Sequence, residues 1–245
     1  MPTIDINCDL GEGIDNEVDI MPMISSCSIA CGGHAGNLET MERVVGLAMA
    51  NGVLVGAHPS YPDKENFGRV SIPISAEALK KSIKEQIESL VTILKARNME
   101  LNHIKPHGAL YNDIAKDRGL ALLFLESVAP YKEKVVLYVP YASEIAKQAK
   151  EAGYRIKYEA FADRNYNQDL TLVSRKASNA MIHDPQEVLD HILLMVNRGM
   201  VKTATGAKIH LLADTFCIHG DSPSTLQILM YLSQQLPKKQ IFIKK

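Results

Sequence analysis

Short apolar runs alternate with amphipathic helical patterns along almost the whole chain. The runs fall at residues 3–6, 27–30, 53–55, 101–104, 135–139, 156–161 and 215–218, with weaker candidates at 180–182 and 209–212. Between them the apolar positions change to helical spacing. Asn37 suits an N-cap before Met41, Val44, Val45 and Ala48, with Gly52 just past the end of that stripe. Leu79, Ile83, Ile87, Leu90, Val91 and Leu94 form a second stripe. Asp184, Pro185 and Glu187 supply a cap, an N1 proline and an N3 acid before Val188, Leu189, Ile192, Met195 and Val196. Ser222-Pro223 opens a last helix through Leu226, Leu229 and Leu232. Strand-then-helix repetition predicts a parallel α/β fold. About seven repeats with no linker predict a seven-stranded parallel β/α barrel, one domain over residues 1–245. A doubly wound open sheet is the alternative.

The polar positions add to this pattern. All but one of the main runs lead into a polar or glycine-rich cluster, at residues 7–13, 31–37, 56–63, 105–112, 162–166 and 219–223. In parallel α/β folds the C-terminal strand ends carry the site, and His34, His58, His107 and His219 all fall there. Several strands also alternate instead of reading as the continuous apolar runs usual in parallel sheets. Asp5, Asn7 and Asp9 share a face, as do His103, Lys105 and His107, then Lys157 and Glu159, then Thr215, Cys217 and His219. With the apolar faces against helices, these polar faces converge in a hydrated barrel interior, where buried charges must be paired. Asp5 and Glu159 are expected as ion-pair partners, and His103, His183, His191 and His210 as structural residues.

Composition narrows the function classes. Lys and Arg number 27 against 28 Asp and Glu, a net charge of −1, without the basic excess of a nucleic-acid binder. No apolar run approaches the roughly 18 residues of a membrane helix, and the start lacks the basic and apolar regions of a signal peptide. Four cysteines without a Cys-x-x-Cys motif point to reduced core residues in a cytoplasmic protein. There is no phosphate loop and no Gly-x-Ser-x-Gly elbow. The supply of Asp, Glu, His and Lys instead suits acid–base work on water. Asp9 or His107 could serve as base, with Lys105 as an oxyanion donor. Asp9, His34 and His58 could hold a divalent metal. The expected substrate is small and polar.

Seven motifs, in order, carry a resemblance. They are Asn-Cys-Asp-Leu-Gly-Glu-Gly (7–13), Ile-Ala-Cys-Gly-Gly-His-Ala-Gly (29–36), Gly-Ala-His-Pro-Ser-Tyr-Pro-Asp (56–63), Phe-Gly-Arg (67–69), Lys-Pro-His-Gly-Ala-Leu-Tyr-Asn (105–112), Phe-Ala-Asp-Arg-Asn-Tyr (161–166) and Cys-Ile-His-Gly-Asp-Ser-Pro (217–223). The chain thereby resembles the LamB/YcsF lactam-utilisation family. The resemblance implies a barrel similar to the polysaccharide-deacetylase-like folds. It also implies a part in hydrolysing 5-oxo-L-proline to L-glutamate, with subunits B and C as partners and ATP as co-substrate of the complex. By analogy with deacetylase barrels it marks Asp9, His34 and His58 as metal ligands. Asp9, Glu12, Lys105, His107, Asp163, Arg164, His219 and Asp221 make up the candidate catalytic set. Asn37, Ser28, Gly33 and residues 64–66 depart from the family's usual residues (Asp, Asn, an aromatic and a simpler turn). A stand-alone metal-dependent amidase or deacetylase, and a non-catalytic substrate-presenting subunit, are the competing functions.

Overall fold

The computed structural model of the chain describes residues 2–245. Seven parallel strands close into a barrel: β1 (Ile6–Leu10), β2 (Ser26–Ala30), β3 (Leu54–His58), β4 (His103–Ile104), β5 (Val136–Pro140), β6 (Ile156–Phe161) and β7 (Thr215–His219). Each strand pairs with its neighbours in sequence, and β7 closes the ring between β6 and β1. Outward-facing Ile6, Cys8, Cys27, Ile29, Val55, Ala57, Ile104, Leu137 and Ile218 meet the helical stripes in one core. The predicted caps form: Asn37 accepts from the Thr40 amide at 2.8 Å and Asp184 from the Glu187 amide at 2.9 Å. The four cysteines are free and buried. Among the described residues no helix is long and apolar enough to cross a membrane.

Several boundaries differ from the sequence expectation. The first run splits: Thr3–Ile4 pairs with Phe242–Ile243 outside the barrel, while the barrel strand begins at Ile6 and runs through Leu10. An apolar-run criterion undercounts this strand because its lumen face, Asn7 and Asp9, is polar. The run at 209–212 gives Lys208–His210, antiparallel to Met200–Lys202 in a separate hairpin. The run at 180–182 makes only an isolated bridge, Met181 to Arg164. The last helix starts at Thr225, with Ser224 and not Ser222 at its N-cap position.

The lumen is polar and layered, as the alternation predicted. At its N-terminal end Asp5 accepts from Thr215 at 2.6 Å and Ser26 at 3.2 Å, and lies 3.0 Å from the Lys157 ammonium. His103 stacks on Tyr138, ring centroids 4.0 Å apart, and its Nε2 is 3.2 Å from the Ser28 hydroxyl. The opposing Gly56 makes room for that imidazole, since a Cβ there would sit 2.1 Å from His103 Nε2. In the middle layer the Lys105 ammonium, 1% exposed, donates to Asn7 Oδ1 (3.2 Å), Asp9 Oδ1 (2.8 Å) and Cys217 Sγ (3.1 Å). It also lies 2.7 Å from Glu159 Oε1, at an angle that leaves both Glu159 oxygens without a hydrogen-bond donor, so this attraction is coulombic.

Removing that ammonium strands two buried carboxylates. Lys105→Met should cost about 3–5 kcal/mol, the range for breaking a buried ion pair on one side. Adding Glu159→Gln to that variant should recover part of the loss. Urea unfolding of both variants measures this, and a Lys105→Met loss under about 1 kcal/mol would contradict it.

Candidate active site

The C-terminal strand ends assemble a ring of ionisable side chains. Asp9 lies near the end of β1, with Glu12 in the loop that follows; His58 ends β3 and His219 ends β7. His107 is the N-cap of the helix Gly108–Ile114, two residues beyond Lys105. His34 sits in the turn after β2, whose tightness depends on Gly36: with φ at +78°, its Cβ would meet the Ala30 carbonyl at 2.7 Å.

Glu12, His34, His58 and His107 point their ligand atoms at one locus, all within 4.8 Å of one another. Glu12 Oε1 is 3.0 Å from His34 Nε2, 3.4 Å from His107 Nδ1 and 3.9 Å from His58 Nε2, and the last two nitrogens are 2.9 Å apart. The tautomers follow from their other partners. His58 Nδ1 faces the Lys105 carbonyl at 2.8 Å and His107 Nε2 the Phe67 carbonyl at 3.0 Å. A carbonyl only accepts, so both ring nitrogens carry protons and donate. In the neutral rings His58 Nε2 and His107 Nδ1 therefore aim lone pairs at each other. Only a cation between them, a proton or a metal ion, removes that repulsion. Burial, with His34 and His58 alongside, pushes His107 well below the usual imidazole range, which opposes the proton.

The donor set fits a divalent ion. Four of the six donor separations, from 2.9 to 3.9 Å, bracket the roughly 3.3 Å between ligands of a tetrahedron with bonds of about 2.0–2.1 Å, and the other two stay within 4.8 Å. Backbone carbonyls fix the far nitrogens of His58 and His107, as such partners usually do for metal-binding histidines, while His34 Nδ1 has no partner among the described residues. His34 and His58 lie together as the deacetylase analogy implied; Glu12 is the carboxylate that reaches both, with His107 as an added donor, whereas Asp9 comes close to His58 alone. Asp9 instead groups with Cys217 and His219. Its Oδ2 is 3.4 Å from His58 Nε2, and its Oδ1 is taken by Lys105. Burial alone would raise the Asp9 carboxyl, yet His58 and Lys105 outweigh burial and hold it well below the carboxylate range. In the same way burial opposes the Lys105 charge, but Asp9, Cys217 and Glu159 raise its pKa well above the ordinary lysine value.

A second unit faces the same space. Asp163, just past β6, accepts from the His219 amide at 2.9 Å and from His219 Nδ1 at 2.9 Å. This bond places the proton on Nδ1 and leaves Nε2 as an acceptor, the arrangement of an oriented base. Burial would raise Asp163, but His219 overrides it and keeps the carboxyl low. Asp9, His58, Lys105, His107, Arg164 and His219 all line one cavity of about 640 Å³. Asp221 stands at the rim, where one of its oxygens takes both Arg69 and Arg175 (3.3 Å to Arg175).

Phe67 and Tyr111 also belong to the site, although in the sequence they stand out only as members of their motifs. Phe67 adopts φ of +54°, a strained value for an aromatic residue, and its carbonyl fixes His107. Its ring meets His34 edge-on at 5.2 Å. Tyr111 also lines the cavity; burial and Glu159 push its phenol well up. Two of the departing residues, Asn37 and Gly33, have local explanations. Asn37 is a helix cap, where Asn serves as well as Asp. Beside Gly33, Gln86 Oε1 lies 2.4 Å from where a Cβ would be, so this glutamine fills the space of a larger residue. Nothing in the structure explains Ser28 in place of Asn beyond its contact with His103.

The chain is thus a closed seven-stranded β/α barrel with oriented imidazoles and carboxylates at its C-terminal strand ends. The chain belongs to the LamB/YcsF family, whose model matches residues 4–245. A relative from Thermococcus sibiricus, named as the A subunit of 5-oxoprolinase, is 41% identical over 98% of this chain and 96% of its own. The crystal structure of a lactam utilization protein from Thermus thermophilus superposes with a TM-score of 0.91 at 33% identity, covering 100% of this chain and 99% of that one. A family 4 carbohydrate esterase from Streptomyces lividans shares the fold at a TM-score of 0.50 and 12% identity, covering 99% of this chain and 91% of that one.

Asp163 gives a pH prediction. Its folded pKa is depressed, so it contributes stability that is complete above the unfolded value of about 3.9 and is lost as pH falls through the lower folded value. The gap in urea midpoint between wild type and Asp163→Asn should hold from about pH 6 to about pH 4 and shrink only below. A gap that closes above about pH 5 would contradict the assignment.

Proposed function

We propose that this chain is the A subunit of an ATP-dependent 5-oxoprolinase, a single-domain barrel that opens the lactam amide of 5-oxo-L-proline to L-glutamate together with subunits B and C. The observation that carries this reading is that two independent units, the Glu12/His34/His58/His107 cluster and the Asp163–His219 pair, stand at the rim of one cavity that has ample room for a small polar substrate. The names of the relatives supply the substrate. Lactam hydrolysis needs a base for water, a positive centre for the developing oxyanion and a proton for the departing ring nitrogen.

His219 takes the proton of the attacking water at Nε2, and Asp163 stabilises the imidazolium that forms. As the C–N bond breaks, the same imidazolium returns a proton to the ring nitrogen. Glu12, His34, His58 and His107 would hold a divalent ion, which when bound supplies positive charge to polarise the carbonyl oxygen. Lys105 has its donors committed to the lumen, so its part is to keep Asp9 ionised and His58 in place. A five-membered lactam is stable in water, which gives the ATP coupling a physical purpose: the partner subunits transfer the γ-phosphoryl group of ATP to the lactam oxygen. The water added here and C–N cleavage then leave the new carboxyl as an acyl phosphate, and a second water releases it as glutamate and inorganic phosphate.

Glutamate release from 5-oxoproline plus ATP, with this chain alone and with subunits B and C, tests the reading. Turnover should require all three, and His219→Ala should lower kcat by about 10²–10⁴-fold, the range for losing a general base. Turnover by the chain alone without ATP would establish the stand-alone amidase instead. Undiminished turnover of the complex with His219→Ala and His58→Ala combined would leave only a substrate-presenting role.

Metal binding has its own check. Co²⁺ titration followed by visible absorption should give one site per chain. Glu12→Gln and His107→Ala should each weaken it by about 10-fold or more, and Asp9→Asn should weaken it less. Equal loss in all three would return Asp9 to the ligand set.

A further inference from the structure

One charge in the cavity wall has no use in the chemistry above. Arg164 follows Asp163 directly after β6 and is 5% exposed. Its guanidinium is clamped by two neutral carbonyls: Nε donates to Ala180 at 3.2 Å and Nη2 to Val173 at 2.7 Å. No carboxylate forms an ion pair with it among the described residues, and Nη1 makes no hydrogen bond to any of them. A guanidinium buried to this degree is ordinarily matched by an anion, because desolvating it without one is costly.

The surroundings sharpen the anomaly. Arg69, Arg175, Lys116 and Lys176 line the same cavity, and the one carboxylate in its lining is Asp9, already neutralised by Lys105. Asp163, next in sequence, attracts the guanidinium through space but has its oxygens engaged by His219, and Asp221 at the rim is occupied by Arg69 and Arg175. Burial and the neighbouring Arg175 push the Arg164 guanidinium down to about 10, so it stays charged at neutral pH. A chain of net charge −1 thus concentrates unmatched positive charge at one mouth.

We propose that Arg164 anchors the carboxylate of an anionic lactam substrate, a specificity role that rests on the lactam reading above. The two carbonyl clamps hold the planar fork still, which suits a carboxylate. Asp163 and Arg164, adjacent in sequence, then divide the work: one orients the base and the other holds the substrate. A lactam without the carboxylate leaves the guanidinium buried and unmatched, and is rejected for that reason.

Calorimetric binding to the full chain tests this with 5-oxo-L-proline, 2-pyrrolidinone, propionate and inorganic phosphate as probes. Wild type should bind 5-oxo-L-proline at least about tenfold more tightly than 2-pyrrolidinone, as expected for a charged hydrogen bond. Arg164→Gln should abolish that preference by weakening 5-oxo-L-proline, with 2-pyrrolidinone bound at least as tightly as by wild type because no buried charge is left unmatched, and Arg164→Lys should restore part of it. If Arg164→Gln does not fold, Arg164→Lys carries the test: it should weaken 5-oxoproline several-fold and leave 2-pyrrolidinone as it was. A preference that survives Arg164→Gln, or a wild type that binds no carboxylate, overturns the anchor. Arg164-dependent binding of phosphate in place of 5-oxoproline and propionate overturns the carboxylate assignment. Arg164-dependent binding of propionate with neither lactam bound keeps the anchor and removes the lactam reading.

Discussion

Lys105 lies in the middle of a lumen that most β/α barrels fill with branched aliphatic side chains, and its charge determines what the strands around it carry. An ammonium with no access to water must be met by anions and acceptors on every side. Here β1 supplies Asn7 and Asp9, β6 supplies Glu159 and β7 supplies Cys217. One side chain just past β4 thereby ties together three strands on the far side of the ring. A register slip in any of them would turn its polar residue toward the helices and leave the charge exposed to hydrocarbon.

The same requirement reaches the rim. Asp9 is shared between Lys105 and His58, and the Lys105 carbonyl fixes the His58 tautomer. The lumen charge and the imidazole cluster are therefore one connected network. At its upper end the network keeps a conflict: the neutral rings of His58 and His107 face each other with lone pairs, and Phe67 is held in a strained backbone state against His107. Repulsion and strain of this kind persist only where packing over-determines them, and they collect at functional sites. A fold selected for stability alone would fill this space with leucine and valine.

Much of this is written in period-2 alternation, the feature by which β1, β4, β6 and β7 depart from ordinary parallel strands. Polar residues two apart on an isolated strand would suit an edge facing water; four such strands within seven repeats have a common solution only in a shared interior. Strand ends are less legible. Residues 3–6 read as a strand because they are the apolar stretch, whereas the barrel uses the half-polar Ile6–Leu10. The composition of the imidazole cluster is not readable by spacing, because its four donors come from four different connections. Glu12 and Asp9 are three residues apart in one motif, and only the loop's path decides which carboxylate turns toward His34. Arg164 is recognisable as part of a motif, but its missing counter-ion is a property of the folded wall alone.

Charge is segregated in depth in this barrel, although the chain as a whole is nearly neutral. Inside, each cation is matched: Lys157 by Asp5, Lys105 by Asp9 and Glu159. At the mouth the matching stops, and arginine and lysine outnumber the available acids. An anion approaching the cavity is attracted at the rim but finds no free positive charge deeper along the lumen axis, since Lys105 is already neutralised. With the proposed anchor at Arg164, it comes to rest at the level of Arg164 and His219 and does not penetrate the barrel. For a small ring carrying a carboxylate, that fixes one end at the β6 side and leaves the rest to lie against the imidazoles at the opposite wall. Orientation in the proposed reaction would then arise from the depth at which charge neutrality is reached, before any contact with the reacting carbonyl is made.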